Sequence, residues 1–131
     1  MRRIDHVILY VQDLERSVAF YRDVLGFEVK LEGDGYVEFV TEAGKFGLLE
    51  RSMLSGLIGP TPAPAGPQGE ILFLVEDADA EADRLQRAGV EILSGPQDRP
   101  WGHRTVHLLD PDGFVIELAQ EIPREKGPPG P

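Results

Sequence analysis

From His6 to Val11 the chain alternates between two unlike faces. Val7, Leu9 and Val11 make one face, aliphatic and dry; His6, Ile8 and Tyr10 make the other, with a polar handle at each end. Such a strand needs a cover over its dry face and leaves the other face to enclose something. A helix follows. Asp13 suits the N-cap, Leu14, Val18, Tyr21 and Leu25 recur at helical spacing, Phe20 and Val24 widen the apolar stripe, and Gly26 fits the stop. Phe27 to Leu31 alternates as a strand, Gly33-Asp34-Gly35 turns, and Tyr36 to Val40 is the next strand. Glu42-Ala43-Gly44 turns again before a strand from Phe46 to Glu50. The predicted order over residues 1–50 is β-α-β-β-β.

Residues 51–69 change character. Pro60, Pro62, Pro64 and Pro67 alternate with small residues, which defeats helix and ladder alike, so the stretch is predicted as a linker. Its first part, with Met53-Leu54 and Leu57-Ile58, is apolar enough for a short turn of helix or a lid. Residues 70–122 then repeat the pattern. Glu70 to Asp77 aligns with His6 to Asp13 at a constant offset of 64 positions; Ile71, Phe73 and Val75 restore the dry face, and Asp77 restores the cap. Ala78, Ala82 and Leu85 mark the inner side of a second helix, closed by Ala88-Gly89. Val90 to Leu93, His103 to Leu109 and Phe114 to Ala119 read as strands, the last two a hairpin about Asp110-Pro111-Asp112-Gly113. Residues 123–131 are Pro- and Gly-rich and are expected to be a disordered tail. The predicted fold class is α+β: two βαβββ modules forming a curved mixed sheet or half-barrel, helices outside, the polar-handled faces lining a cup.

The 131 residues suit one domain or two small fused modules. No run approaches a membrane span and no apolar leader precedes the first strand, so a cytoplasmic location is expected. Cysteine is absent, which excludes disulfides and thiolate chemistry. The formal net charge of −10 argues against nucleic acid and anionic membranes, which call for basic patches, and is compatible with a divalent metal or a cationic ligand.

Four cup-side residues carry the candidate chemistry. His6 opens the first strand and Glu70 its repeat. Glu50 closes the last strand of the first module, and Glu117 lies in Phe114-Val115-Ile116-Glu117-Leu118, the last strand of the second. One imidazole and three carboxylates make a hard donor set suited to Mn, Fe, Mg, Ni or Zn. Tyr10, Phe46 and Leu72 are candidates for the apolar lining of a substrate pocket, Trp101 for a lid over it, and Arg104 for a substrate contact. Pairing Leu109 with Phe114 across the turn puts His107 on the Ile116 side, away from Glu117, and removes it from the ligand set.

These motifs together resemble the vicinal oxygen chelate superfamily of glyoxalases, extradiol dioxygenases, fosfomycin-resistance enzymes, methylmalonyl-CoA epimerase and bleomycin-resistance proteins. The resemblance covers nearly all of residues 4–120. It rests on His6, on Asp13 to Tyr21 leading to Leu25-Gly26-Phe27, on Pro100-Trp101-Gly102 with Arg104, and on Asp110 to Leu118. It implies metal ligands at His6, Glu50, Glu70 and Glu117, and a ligand carboxylate, Glu117 or Glu50, doubling as catalytic base. Glu70 departs from the histidine more usual there. The resemblance also implies a homodimer. Two readings follow: a lyase, isomerase or dioxygenase working on a small oxygenated molecule at a divalent metal (Mn, Fe, Ni or Zn), or a metal-free, bleomycin-resistance-like protein that sequesters a cationic aromatic antibiotic or metabolite.

Overall fold

The computed structural model describes residues 1–66 and 69–124. Pro67 of the expected linker and residues 125–131 of the expected tail lie outside the described residues. The chain divides into two compact units, residues 1–64 and the chain from Ala65 onward.

In the first unit β1 (His6–Val11) leads into α1 (Leu14–Ala19), followed by β2 (Val29–Gly33), β3 (Tyr36–Phe39) and β4 (Lys45–Glu50). The sheet order is β1-β4-β3-β2, with β1 parallel to β4 and the other neighbours antiparallel. Asp13 caps α1 as its sequence position suggests, its Oδ1 accepting the Arg16 N–H at 3.1 Å. The helix does not run on regularly to Leu25. From Phe20 to Val24 it widens into a π turn, in which the Leu25 N–H donates to the Phe20 carbonyl at 3.0 Å. Gly26, at φ 83°, then ends the helix in the left-handed region that a side chain resists.

The wide turn brings Tyr21 into the core, where its ring meets Phe27, Phe39 and Phe46 at centroid distances of 6.3, 5.9 and 5.3 Å. Phe46 therefore belongs to the helix-covered face of the sheet and not to a pocket. It sits opposite Val7 in the ladder, and alternation turns it away from the His6 face. After β4 the chain makes a 3₁₀ turn (Arg51–Met53) and the short α2 (Leu54–Ile58), anchored by buried Leu54 with Leu57 and Ile58 exposed.

The second unit repeats this plan. It runs β5 (Glu70–Leu74), α3 (Ala78–Arg87), β6 (Ile92–Arg99), β7 (His103–Leu109) and β8 (Val115–Glu121), in the order β5-β8-β7-β6 with β5 parallel to β8. Asp77 caps α3 through the Ala80 N–H at 3.1 Å. Ala78, Ala82 and Leu85 are buried on its inner side, and Val106, Leu108, Ile116 and Leu118 complete that core from the sheet. Neither four-stranded sheet closes on itself. Each places one face under a helix, while the opposite face carries the residues with chemistry. Among the described residues no helix is long and apolar enough to cross a membrane.

Candidate metal centre

The residues that carry chemistry in the second unit come from three neighbouring strands. β5 begins at Glu70, β8 holds Glu117, and β7 holds His107 directly opposite Glu117 in the ladder. His107 Nε2 lies 3.1 Å from Glu117 Oε1 and 3.6 Å from Glu70 Oε2. One ligand atom from each of the three lies within 4.8 Å of the others. Glu117 is buried, Glu70 is half exposed at its side chain, and His107 lies between them in exposure.

This corrects the expectation for His107. The turn holds five residues, Asp110 to Phe114, rather than four. The Asp110 carboxylate accepts the N–H groups of Asp112 and Phe114 at 2.9 and 2.8 Å, and the Asp110 N–H donates to the Phe114 carbonyl. Leu109 therefore pairs with Val115, one residue later than expected. A one-residue slip moves every side chain to the other face, so His107 joins Glu117.

The other expected site residues fall as follows. Glu70 and Glu117 come together; His6 and Glu50 belong to the first unit. Glu50 ends β4 opposite Val11, where its carboxylate accepts the Ser52 hydroxyl at 3.2 Å. It is not the counterpart of Glu117. Glu117 lies between Leu72 and His107; the residue at the same place in the first sheet is Gly47, between Ile8 and Glu38. Tyr10 is exposed, with the Arg51 guanidinium 5.8 Å over its ring, and Leu72 is exposed on the Glu117 side of β5. Trp101 is half-buried in the turn between β6 and β7. The Arg104 guanidinium spans Asp79 at 2.9 Å and Asp98 at 2.8 Å, which hold it firmly protonated and tie α3 to the β6–β7 hairpin.

His6 heads a second constellation. Its Nδ1 lies 2.6 Å from Asp5 and its Nε2 3.7 Å from Glu38. Glu38 is buried, yet it accepts the Tyr36 hydroxyl at 2.8 Å and has the Lys30 ammonium at 3.6 Å. The Tyr36 hydrogen bond, helped by Lys30 and His6, holds the Glu38 carboxyl below the usual glutamate range. Burial and the neighbouring carboxylate push the Tyr36 phenol up to about 12. Sequence reasoning missed Glu38, though alternation in Tyr36-Val37-Glu38-Phe39 puts it between two apolar residues on the face shared with His6.

Tyr36→Phe keeps the ring and deletes the donor. The stability that Glu38 contributes is fully present above the ordinary glutamate value and is lost as pH falls through the lowered, folded-state value. The variant is therefore expected to melt below the wild type at about pH 7, with the gap narrowing on acidification below about pH 4. A gap of constant size in melts across that range would contradict it.

The donor set of Glu70, His107 and Glu117 fits a divalent cation. Two hard carboxylate oxygens and one imidazole nitrogen converge, and among the described residues no Lys or Arg pairs with Glu70 or Glu117. His107 Nδ1 is buried without a hydrogen-bond partner there, so the neutral ring is best satisfied with its proton on Nε2, donated to Glu117. A cation at Nε2 would move that proton to Nδ1.

Comparison with known proteins gives the family. Residues 3–118 match the family model of the Glyoxalase/Bleomycin resistance protein/Dioxygenase superfamily. The chain is 34% identical to the ethylmalonyl-CoA/methylmalonyl-CoA epimerase of Cereibacter sphaeroides, over 90% of this chain and 97% of that protein. It is 30% identical to a probable lactoylglutathione lyase of Vibrio parahaemolyticus, over 90% of each. The crystal structure of a glyoxalase/bleomycin resistance protein/dioxygenase from Nocardioides superposes with a TM-score of 0.81 at 25% identity, covering 100% of this chain and 89% of that one. The chain belongs to the Glyoxalase/Bleomycin resistance protein/Dioxygenase superfamily.

Proposed function

We propose that the protein binds a small oxygenated molecule at a divalent cation held by Glu70, His107 and Glu117, and moves a proton at a carbon next to a carbonyl. The convergence of those three ligand atoms within 4.8 Å is the observation that carries this reading. Two relatives sharpen it. Their names specify lactoylglutathione and ethylmalonyl- or methylmalonyl-CoA, which are all thioesters with a proton on the carbon beside the carbonyl.

A bound cation would supply Lewis acidity toward a carbonyl oxygen and make that proton more acidic. The chain's own residues do the rest. Glu117, buried on β8, and His107, facing it on β7, are held side by side by the strand ladder. Glu70, half exposed, is the carboxylate placed to meet a solute and accept its proton.

Protein purified without chelator should carry close to one Mn, Fe, Ni or Zn per chain by elemental analysis. In D₂O, the metal-loaded protein should exchange the α-proton of methylmalonyl-CoA or S-lactoylglutathione. Metal content near zero, with no thermal shift on adding any of these ions, would overturn the reading. Binding of cationic aromatic compounds without turnover would then favour the sequestering protein.

A further inference from the structure

Arg99 lies on the same face of the second sheet as the candidate centre. It ends β6 opposite His103 of β7, and His103, Thr105 and His107 alternate onto one face of that strand. The opposite face meets α3, where Arg104 pairs with Asp79. The Arg99 Nε–H donates to the Thr105 hydroxyl at 3.0 Å, and its Nη2 donates to the Ser94 hydroxyl at 3.4 Å. Ser94 is the ladder partner of His107, so the side chain runs back along the sheet toward the centre. Thr105 is one same-face step from His107 along β7, about 7 Å, and the guanidinium is anchored at that step.

Arg99 has no counterion among the described residues. The chain carries 23 Asp and Glu against 13 Lys and Arg, so carboxylates are plentiful. Arg22, Arg84 and Arg104 each hold one. Arg99 is half-buried, yet its described partners are two neutral hydroxyls, one of them on fully buried Thr105. A partly desolvated cation without a negative partner is costly to keep. The hydroxyls fix the Nε and Nη2 side of the fork and leave its Nη1 donors without an acceptor.

We propose that Arg99 is the specificity residue of the second unit's centre, pairing with a carboxylate that the substrate carries a few bonds from the carbonyl held at the cation. This deepens the proposed function and rests on its placing of the centre. Ser94 and Thr105 are positioning residues that hold the plane of the fork. Charge selects a carboxylate over a phosphate group. Glu70, Glu117 and Glu121 share this face, and Arg99 is the one Lys or Arg that the four strands present to it. Glu121 stands across His103, two strands or about 10 Å from Arg99. A single guanidinium balances one negative charge in a planar, two-pronged match; a dianion would meet the glutamates with charge to spare. Without Arg99, an anionic substrate would be repelled by this face and by a chain of net charge −10.

The test compares propionyl-CoA with methylmalonyl-CoA and succinyl-CoA by calorimetry. Each of the latter two is the propionyl thioester with a carboxylate added, at the α- or the β-carbon, so the phosphates of the CoA portion cancel. Titrations run in chelator, where no ion can take the carboxylate instead. Wild type should bind at least one of the anionic thioesters at least about tenfold more tightly than propionyl-CoA. Arg99→Gln should erase that preference and leave the affinity for propionyl-CoA as it was. Arg99→Lys, which keeps the charge without the fork, should keep part of it. A wild type with no preference overturns the proposal, and so does an Arg99→Gln variant with native-like circular dichroism that retains it.

Should Arg99→Gln not fold, Arg99→Lys decides. A weakened preference supports the proposal, and one equal to wild type overturns it. A preference for the carboxylate in a protein that takes up no metal would sink the proposed function and leave carboxylate recognition by Arg99 standing. Metal uptake and α-proton exchange without that preference would do the reverse.

Discussion

Glu117→Gln should cost the protein its cation while sparing its fold. Glu117 is buried on β8, paired across the ladder with His107, and is one of only two carboxylates in the cluster. Glutamine keeps the shape and still offers an oxygen to the His107 Nε2–H, so the local hydrogen bond survives. What is lost is the charge. Cation affinity should fall at least ~100-fold, roughly 3 kcal/mol of binding free energy. The metal-free variant should unfold within about 1 kcal/mol of the metal-free wild type. Calorimetric titration with Mn²⁺ or Zn²⁺ alongside urea unfolding in chelator separates the two effects. Unchanged affinity would remove Glu117 from the site; loss of fold in chelator would make it a structural residue.

Gly95→Ala should give the largest loss of stability of any glycine-to-alanine change among the described residues. Gly95 has φ 95°, and a Cβ there would press directly on the Thr105 carbonyl oxygen and lie 3.1 Å from its carbon. The obstacle is backbone of the neighbouring strand, which cannot swing aside as a side chain can. Strain at the dihedral and the clash add, and ~3–4 kcal/mol is expected. The site is implicated as well. Gly95 sits in the irregular stretch of β6 between Ser94 and Gln97, opposite the part of β7 that runs from Thr105 to His107. Displacing Thr105 moves the strand that aims His107, so cation affinity should fall along with the urea midpoint. An unfolding free energy within about 1 kcal/mol of wild type would show that β7 yields where the geometry says it is held.

Much of this architecture was legible in the chain. The offset that carries His6-Val7-Ile8-Leu9 onto Glu70-Ile71-Leu72-Phe73 identified the repeat, and both sheets have the same order and pairing sense. The helix caps at Asp13 and Asp77 were readable because an N-cap is a local decision of a few residues. Glu70 was placed by its alignment with His6, and Glu117 by alternation against Phe114, Ile116 and Leu118.

What escaped depended on register. Whether His107 faces Glu117 turns on a single extra residue in the Asp110–Phe114 loop, fixed by two hydrogen bonds to the Asp110 carboxylate that spacing does not announce. Matching Glu50 to Glu117 by their place near strand ends missed that strand pairing sets Gly47 there instead. Phe46 was assigned to a pocket because apolar residues at a strand start suit either face; its packing on Tyr21, Phe27 and Phe39 decides for the core. Arg104 looked available for a substrate until the fold brought Asp79 to it from α3 and Asp98 from across the β6–β7 hairpin.

The account is tested most directly by anomalous diffraction from crystals grown with Mn²⁺ or Zn²⁺. It predicts one ion per chain in the second unit, ligated together by Glu70, His107 Nε2 and Glu117. An ion bound elsewhere, or bound with His107 turned away from both carboxylates, would contradict it.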